Sequence, residues 1–164
     1  MNWRNRGHAY THPGPFTCGA NVSDGAACGE ADRPKVVRHP SGMIVMVTKS
    51  SPAVSFATAT TEAGPFQFRR SVYPNGRWAG DLTVLADPQQ PANAYLIYSV
   101  RPGGPDGANR HIVIAKLTSD WLDVQPEQVS SIPDAREAPA AFYAGPTKGY
   151  FIWTSHVTGW NPVS

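Results

Sequence analysis

No apolar run in this sequence is long enough to cross a membrane. The longest aliphatic stretch, Met43 to Val47, falls far short of the ~20 residues that a spanning helix needs. Charge of one sign is also scarce: 14 basic and 12 acidic residues leave a formal net charge of +2. The one basic doublet, Arg69-Arg70, is what solvated surface carries, so no nucleic-acid partner is implied. Cysteine is limited to Cys18 and Cys28, in a Gly/Ala-rich loop. A zinc site draws on about four ligands, and no second cysteine pair exists to supply them. The spacing suits a disulfide in an exported protein, and equally two unpaired thiols. His8, His12, His39, His111 and His156 show no metal-ligand spacing, and nothing in the sequence supports a cofactor or a structural calcium ion. Met1 to Arg6 carries no apolar stretch after its charges, so it does not read as a signal peptide. Asn21-Val22-Ser23 fits a glycosylation sequon, a triplet common by chance.

Helical periodicity is nearly absent as well. What is abundant is glycine (15) and proline (16), about a fifth of the chain, which favours tight turns over long helices. Short β-rich runs recur between Pro, Gly, Asp and Asn. The expected strands are Lys35–Arg38, Met43–Thr48, Ala53–Thr58, Phe66–Val72, Asp81–Leu85, Ala94–Val100, His111–Leu117, Ala138–Tyr143 and Tyr150–Thr154.

A weak repeat runs through these segments. An acid opens a short strand, a turn follows, and an apolar strand returns. Asp32 leads to Met43–Val47, Asp81 leads to Ala94–Tyr98, and Glu137 leads to Tyr150–Trp153. Intervals of roughly 50 residues with several short strands each are the pattern of propeller blades. The first strand of a blade lines the central channel, so three carboxyls would meet near one channel mouth. A β-sandwich in which these acids merely end strands is compatible with the same periodicity.

Taken in order, the segments resemble glycoside hydrolase family 43, nearest its exo-β-1,3-galactanase (galactan 1,3-β-galactosidase) branch. The matching pieces are Asp32-Arg33-Pro34-Lys35-Val36, Gly64-Pro65-Phe66, Tyr73-Pro74-Asn75-Gly76, Gly80-Asp81-Leu82-Thr83-Val84 and Ala94–Tyr98. Ala115–Thr118, Trp121–Val124, Arg136-Glu137-Ala138-Pro139-Ala140 and Thr158-Gly159-Trp160-Asn161-Pro162 continue the match, and Asn2–Gly7 resembles the segment after the family's first blade. The resemblance implies an all-β, five-bladed β-propeller, here a partial propeller of about three blades. Residues 1–31 would be an inter-blade region, and 32–79, 80–135 and 136–164 successive blades, the last incomplete. It implies an inverting, exo-acting glycosidase that removes β-1,3-linked galactose from galactan or arabinogalactan side chains. It also implies an oligo- or polysaccharide partner and the extracellular setting usual for the family.

By the same resemblance Glu137 is the general acid, whose task requires that it hold a proton near neutral pH. Asp81 matches the carboxylate that tunes and orients it. Asp32 is the third carboxylate, where the branch usually has Glu. Trp160 is the candidate aromatic platform for a sugar ring. Ser155 and Thr158 are candidate hydroxyl partners, and Arg136 is a candidate holder of Glu137 or Asp81. Trp78, Trp121 and Trp153 read as structural. The family's Arg before the second acid is Gly80 here, and its water-positioning Gln falls beyond the matched segments. The expectation is an internal part of a larger propeller with weak or no activity alone. A non-catalytic carbohydrate-binding propeller, another family specificity (arabinofuranosidase or xylosidase) and a protein-interaction propeller are the alternatives.

Overall fold

The computed structural model describes residues 16–17, 27–28, 32–50, 52–100, 110–133 and 135–156. These residues form twelve strands and one short 3-10 turn. Strands β1 (Phe16–Thr17) and β2 (Ala27–Cys28) pair as a minimal antiparallel ladder. A four-stranded antiparallel meander follows: β3 (Asp32–Arg38), β4 (Ile44–Ser50), β5 (Ala53–Ala59) and β6 (Gln67–Val72). A second meander has the same form: β7 (Ala79–Ala86), β8 (Ala94–Val100), β9 (Ile112–Leu117) and β10 (Val124–Ile132). The last sheet is the hairpin of β11 (Arg136–Tyr143) and β12 (Tyr150–His156). These three are called the first, second and third sheets below.

Burial explains why the central strands read as continuous apolar runs. Strand β4 is buried along nearly its whole length and β5 throughout, so both faces of the first sheet are covered. The two-residue period divides their side chains cleanly. Val45, Val47, Val54 and Phe56 face the second sheet and join Leu82, Val84, Leu96, Tyr98, Val113 and Trp121 in the main core. Ile44, Met46, Ala57 and Ala59 point the other way and pack with Phe66 of the Gly-Pro-Phe segment. A one-residue slip would exchange these two sets, so the register is strongly specified.

Proline marks the sheet edges. Pro34, Pro126 and Pro139 lie on β3, β10 and β11, each an edge strand, where a missing N–H costs no ladder bond. The link between the first two sheets is pinned by Tyr73-Pro74-Asn75-Gly76. Asn75 takes a left-handed backbone (φ 55°) and donates from its amide to the carbonyls of Gln125 (3.0 Å) and Pro126 (2.8 Å). Buried Tyr98 donates to the Pro74 carbonyl at 2.9 Å. Tyr-Pro-Asn-Gly is thus a clamp between β6 and β10.

The third sheet docks through its loop partners. Tyr150 donates to Asp87 and Gln89 donates to Tyr143. Its opposite face leaves Phe142, Phe151 and Trp153 exposed, Trp153 by 67%. Phe142 stacks on Phe151 (5.4 Å) and meets Trp153 edge-on (5.8 Å). Trp121, by contrast, is buried and donates to the Ala92 carbonyl at 3.2 Å, with the His39 ring edge-on at 4.8 Å.

The first strands of the three sheets are neighbours: β3 contacts β7, and β7 contacts β11. This adjacency positions the candidate site.

Candidate functional site

Each of these first strands carries its acid beside a register shift. The irregularities fall between Asp32 and Lys35, between Ala79 and Leu82, and between Glu137 and Ala140. Bulges re-aim side chains and end regular pairing, and they favour sites. In two of the three the local geometry repeats. Arg33 follows Asp32 with φ 51°, Ala138 follows Glu137 with φ 49°, and a proline comes next in both. Left-handed backbone at a non-glycine residue costs roughly 1–2 kcal/mol. The repetition of that strain after two of the three acids ties it to the acids' orientation.

The three acids share one end of the assembly. Arg33 Nε reaches Asp81 Oδ1 at 3.0 Å, which joins the start of β3 to the start of β7. Val100 pairs with Ala79, and its N–H donates to the His111 carbonyl at 2.8 Å. Arg110 is therefore at the Asp81 end of the second sheet, and from there its guanidinium pairs with Glu137. Asp81 and Glu137 are both largely enclosed, with side chains 16% and 18% exposed. Asp32 is different. Its side chain is 55% exposed, and its contact, Lys49 Nζ at 3.4 Å, is its partner in its own sheet.

The cations that hold the inner acids are not the one expected. Arg136 was the candidate holder, but that place belongs to Arg110 for Glu137 and Arg33 for Asp81. Arg136 pairs in register with His156, and Glu137 with Ser155. Successive strand residues point to opposite faces, so Arg136 is directed away from its neighbour's carboxyl. Ser155 is exposed and contacts the backbone carbonyl of Glu137 at 3.5 Å. Thr158 and Trp160 lie outside the described residues, as does Cys18.

Arg110 carried no signal in the sequence, because it sits in a connection and meets Glu137 only through the packing of two sheets. Arg33 was legible as part of a motif but not as a partner of Asp81. Gly80 is also explained by packing. A Cβ there would meet Ser99 Oγ at 2.5 Å, so a side chain before Asp81 requires the Ser99 hydroxyl to move. Among the described residues, no group of three His, Cys, Asp or Glu side chains is placed to hold a metal ion.

Solved structures similar in fold to this chain include β-1,3-galactan enzymes. The exo-β-1,3-galactanase of Phanerochaete chrysosporium, in a variant bound to β-1,3-galactotriose, matches with a TM-score of 0.76 and 26% identity. The match covers 97% of this chain and 35% of that one. A β-1,3-galactosidase of glycoside hydrolase family 43 matches with a TM-score of 0.77 and 27% identity, over 98% of this chain and 34% of that one. The exo-β-1,3-galactanase of Clostridium thermocellum shares the fold, with a TM-score of 0.67 at 23% identity, over 81% of this chain and 31% of that one. The chain thus spans about a third of the length of these structures. No protein-family model and no curated protein sequence matches it. In fold and in motif order the chain resembles the family 43 exo-β-1,3-galactanases over nearly its whole length.

Proposed function

We propose that these residues form the acid side of a galactan-cleaving glycoside hydrolase, with Glu137 as general acid and Asp81 as the carboxylate that orients it. The observation that carries this reading is the placing of two enclosed carboxyls at the bulged starts of neighbouring first strands, each held by an arginine from the preceding sheet. The three sheets are read as successive blades of a propeller, with β3, β7 and β11 lining its channel. The similarity to enzymes solved with β-1,3-galactotriose and galactose supports a β-1,3-linked galactose substrate. Glu137 would donate a proton to the departing glycosidic oxygen. A second group across the ring would direct water, giving inversion. Asp32, on the exposed rim, would contact sugar hydroxyls.

The test is galactose release from β-1,3-galactotriose, followed by NMR at the anomeric proton. Galactose release with inverted configuration is expected from a complete propeller that carries these residues. Glu137→Gln should reduce turnover by about a thousandfold or more while sugar binding by calorimetry persists. Turnover that survives in Glu137→Gln would remove Glu137 from the role.

Gly80 favours a second reading. Where the family has Arg, this chain has Gly80, where a Cβ would meet the Ser99 hydroxyl at 2.5 Å, so the site is altered beside Asp81. A non-catalytic carbohydrate-binding propeller would bind galactotriose in wild type and Glu137→Gln alike and release nothing from either.

A further inference from the structure

The two enclosed acids are gripped by the same device. Asp81 in the second sheet is held by Arg33 from the first. Glu137 in the third sheet is held by Arg110 from the second. Each cation comes from the sheet before, and each crosses between sheets at the site end. Asp32, whose contact lies inside its own sheet, is the most exposed of the three acids. The pairing partner therefore separates the two enclosed acids from the rim acid.

From this geometry we infer that Arg110 is a positioning residue for Glu137, fixing the direction of its carboxyl from the neighbouring sheet, as Arg33 does for Asp81. The guanidinium suits the task. It is planar, permanently charged and presents several donors in a rigid fork, so it fixes orientation where an ammonium would supply only charge. Arg110 is itself three-quarters enclosed, and its Nε is buried without a hydrogen-bond partner among the described residues. An isolated buried N–H is costly, and it is retained here beside a carboxyl that must be aimed. The backbone gives independent support. Ala138, directly after Glu137, is held at φ 49°, and Arg33 carries its own strain at φ 51°. Strained backbone and a cross-sheet cation thus act together at Glu137, and at Asp81 the strained residue is the cation itself. A surface ion pair would need neither.

This inference rests on the reading of Glu137 as the acid, and its test separates the two. Arg110→Met, Arg110→Lys and Arg33→Met would be prepared with carboxyl-labelled Glu and Asp, and thermal unfolding would identify folded variants. The Glu137 side-chain carboxyl resonance is expected to move in Arg110→Met, to move less in Arg110→Lys, and to stay in place in Arg33→Met, which should move Asp81 instead. With β-1,3-galactotriose, Arg110→Met should lose at least tenfold in kcat with KM within about twofold, and Arg110→Lys should recover part of the loss. A Glu137 resonance indifferent to Arg110, or a kcat unchanged once the pair is broken, overturns the inference. If a complete propeller that carries these residues turns nothing over, the functional reading fails and positioning is read from the galactotriose-induced shift at Glu137. Loss of that shift in Arg110→Met sustains the inference, and its retention overturns it. If Arg110→Met does not fold, Arg110→Lys decides on the same readouts.

Discussion

Asp87 joins the second sheet to the third through a single carboxyl. Burial alone would raise its pKa. The Tyr150 hydroxyl and the backbone N–H groups of Gln89 and Gln90 outweigh burial and hold it below the ordinary value of 3.8. In return the Asp87 carboxylate, with lesser help from burial, holds the Tyr150 hydroxyl up at about 12. The signs fix the pH window. A depressed acid contributes stability that is complete above its unfolded pKa and is lost as pH falls through the folded value. Asp87→Asn should therefore cost roughly 1 kcal/mol at pH 7, and the gap to wild type should close on acidification toward pH 3. Urea denaturation across that range checks this; a gap independent of pH would contradict it. At the alkaline end the raised Tyr150 contributes stability below pH 10 that is lost as pH climbs toward 12.

At the scale of strands, legibility followed burial. Strands β4, β5, β8 and β9 were visible because sheets packed on both sides demand long apolar runs. Strand β10 was missed. Its sequence, Val-Gln-Pro-Glu-Gln-Val-Ser-Ser-Ile, is polar and holds a proline, which an edge strand with a register shift tolerates and a pattern search rejects. The acids opening β3, β7 and β11 were legible as a repeat, but the cations that meet them arise from sheet-to-sheet packing, which no local spacing encodes. Gly80 in β7 was noticed as a departure, and its cause is the Ser99 hydroxyl on the paired strand β8. That hydroxyl is fully buried and has no hydrogen-bond partner among the described residues. Gly80→Ala should therefore cost about 1–3 kcal/mol through overpacking. Ser99→Ala should be close to neutral, and the double variant should regain most of the loss. Chemical denaturation of the four proteins measures this coupling, and strictly additive effects would show that the Ser99 hydroxyl is not what closes the position.

At the scale of the whole molecule, one principle orders the parts. Successive antiparallel sheets stack face to face, and their first strands converge so that acids from different sheets reach one end. The first two sheets bury apolar side chains on each other, and the third meets the second through β11 and the Tyr150–Asp87 hydrogen bond while showing Phe142, Phe151 and Trp153 outward. Trp153, read from the sequence as structural, is the most exposed large apolar side chain among the described residues, at 67%. The central claim is that this convergence presents Glu137 to a glycosidic oxygen, and a crystal structure of Glu137→Gln soaked with β-1,3-galactotriose tests it most directly. The account expects the sugar at the shared end of β3, β7 and β11, with the side-chain amide of residue 137 within hydrogen-bond distance of the glycosidic oxygen and Asp81 beside it. A trisaccharide bound elsewhere, or seated there with its glycosidic oxygen out of reach of residue 137, would contradict it.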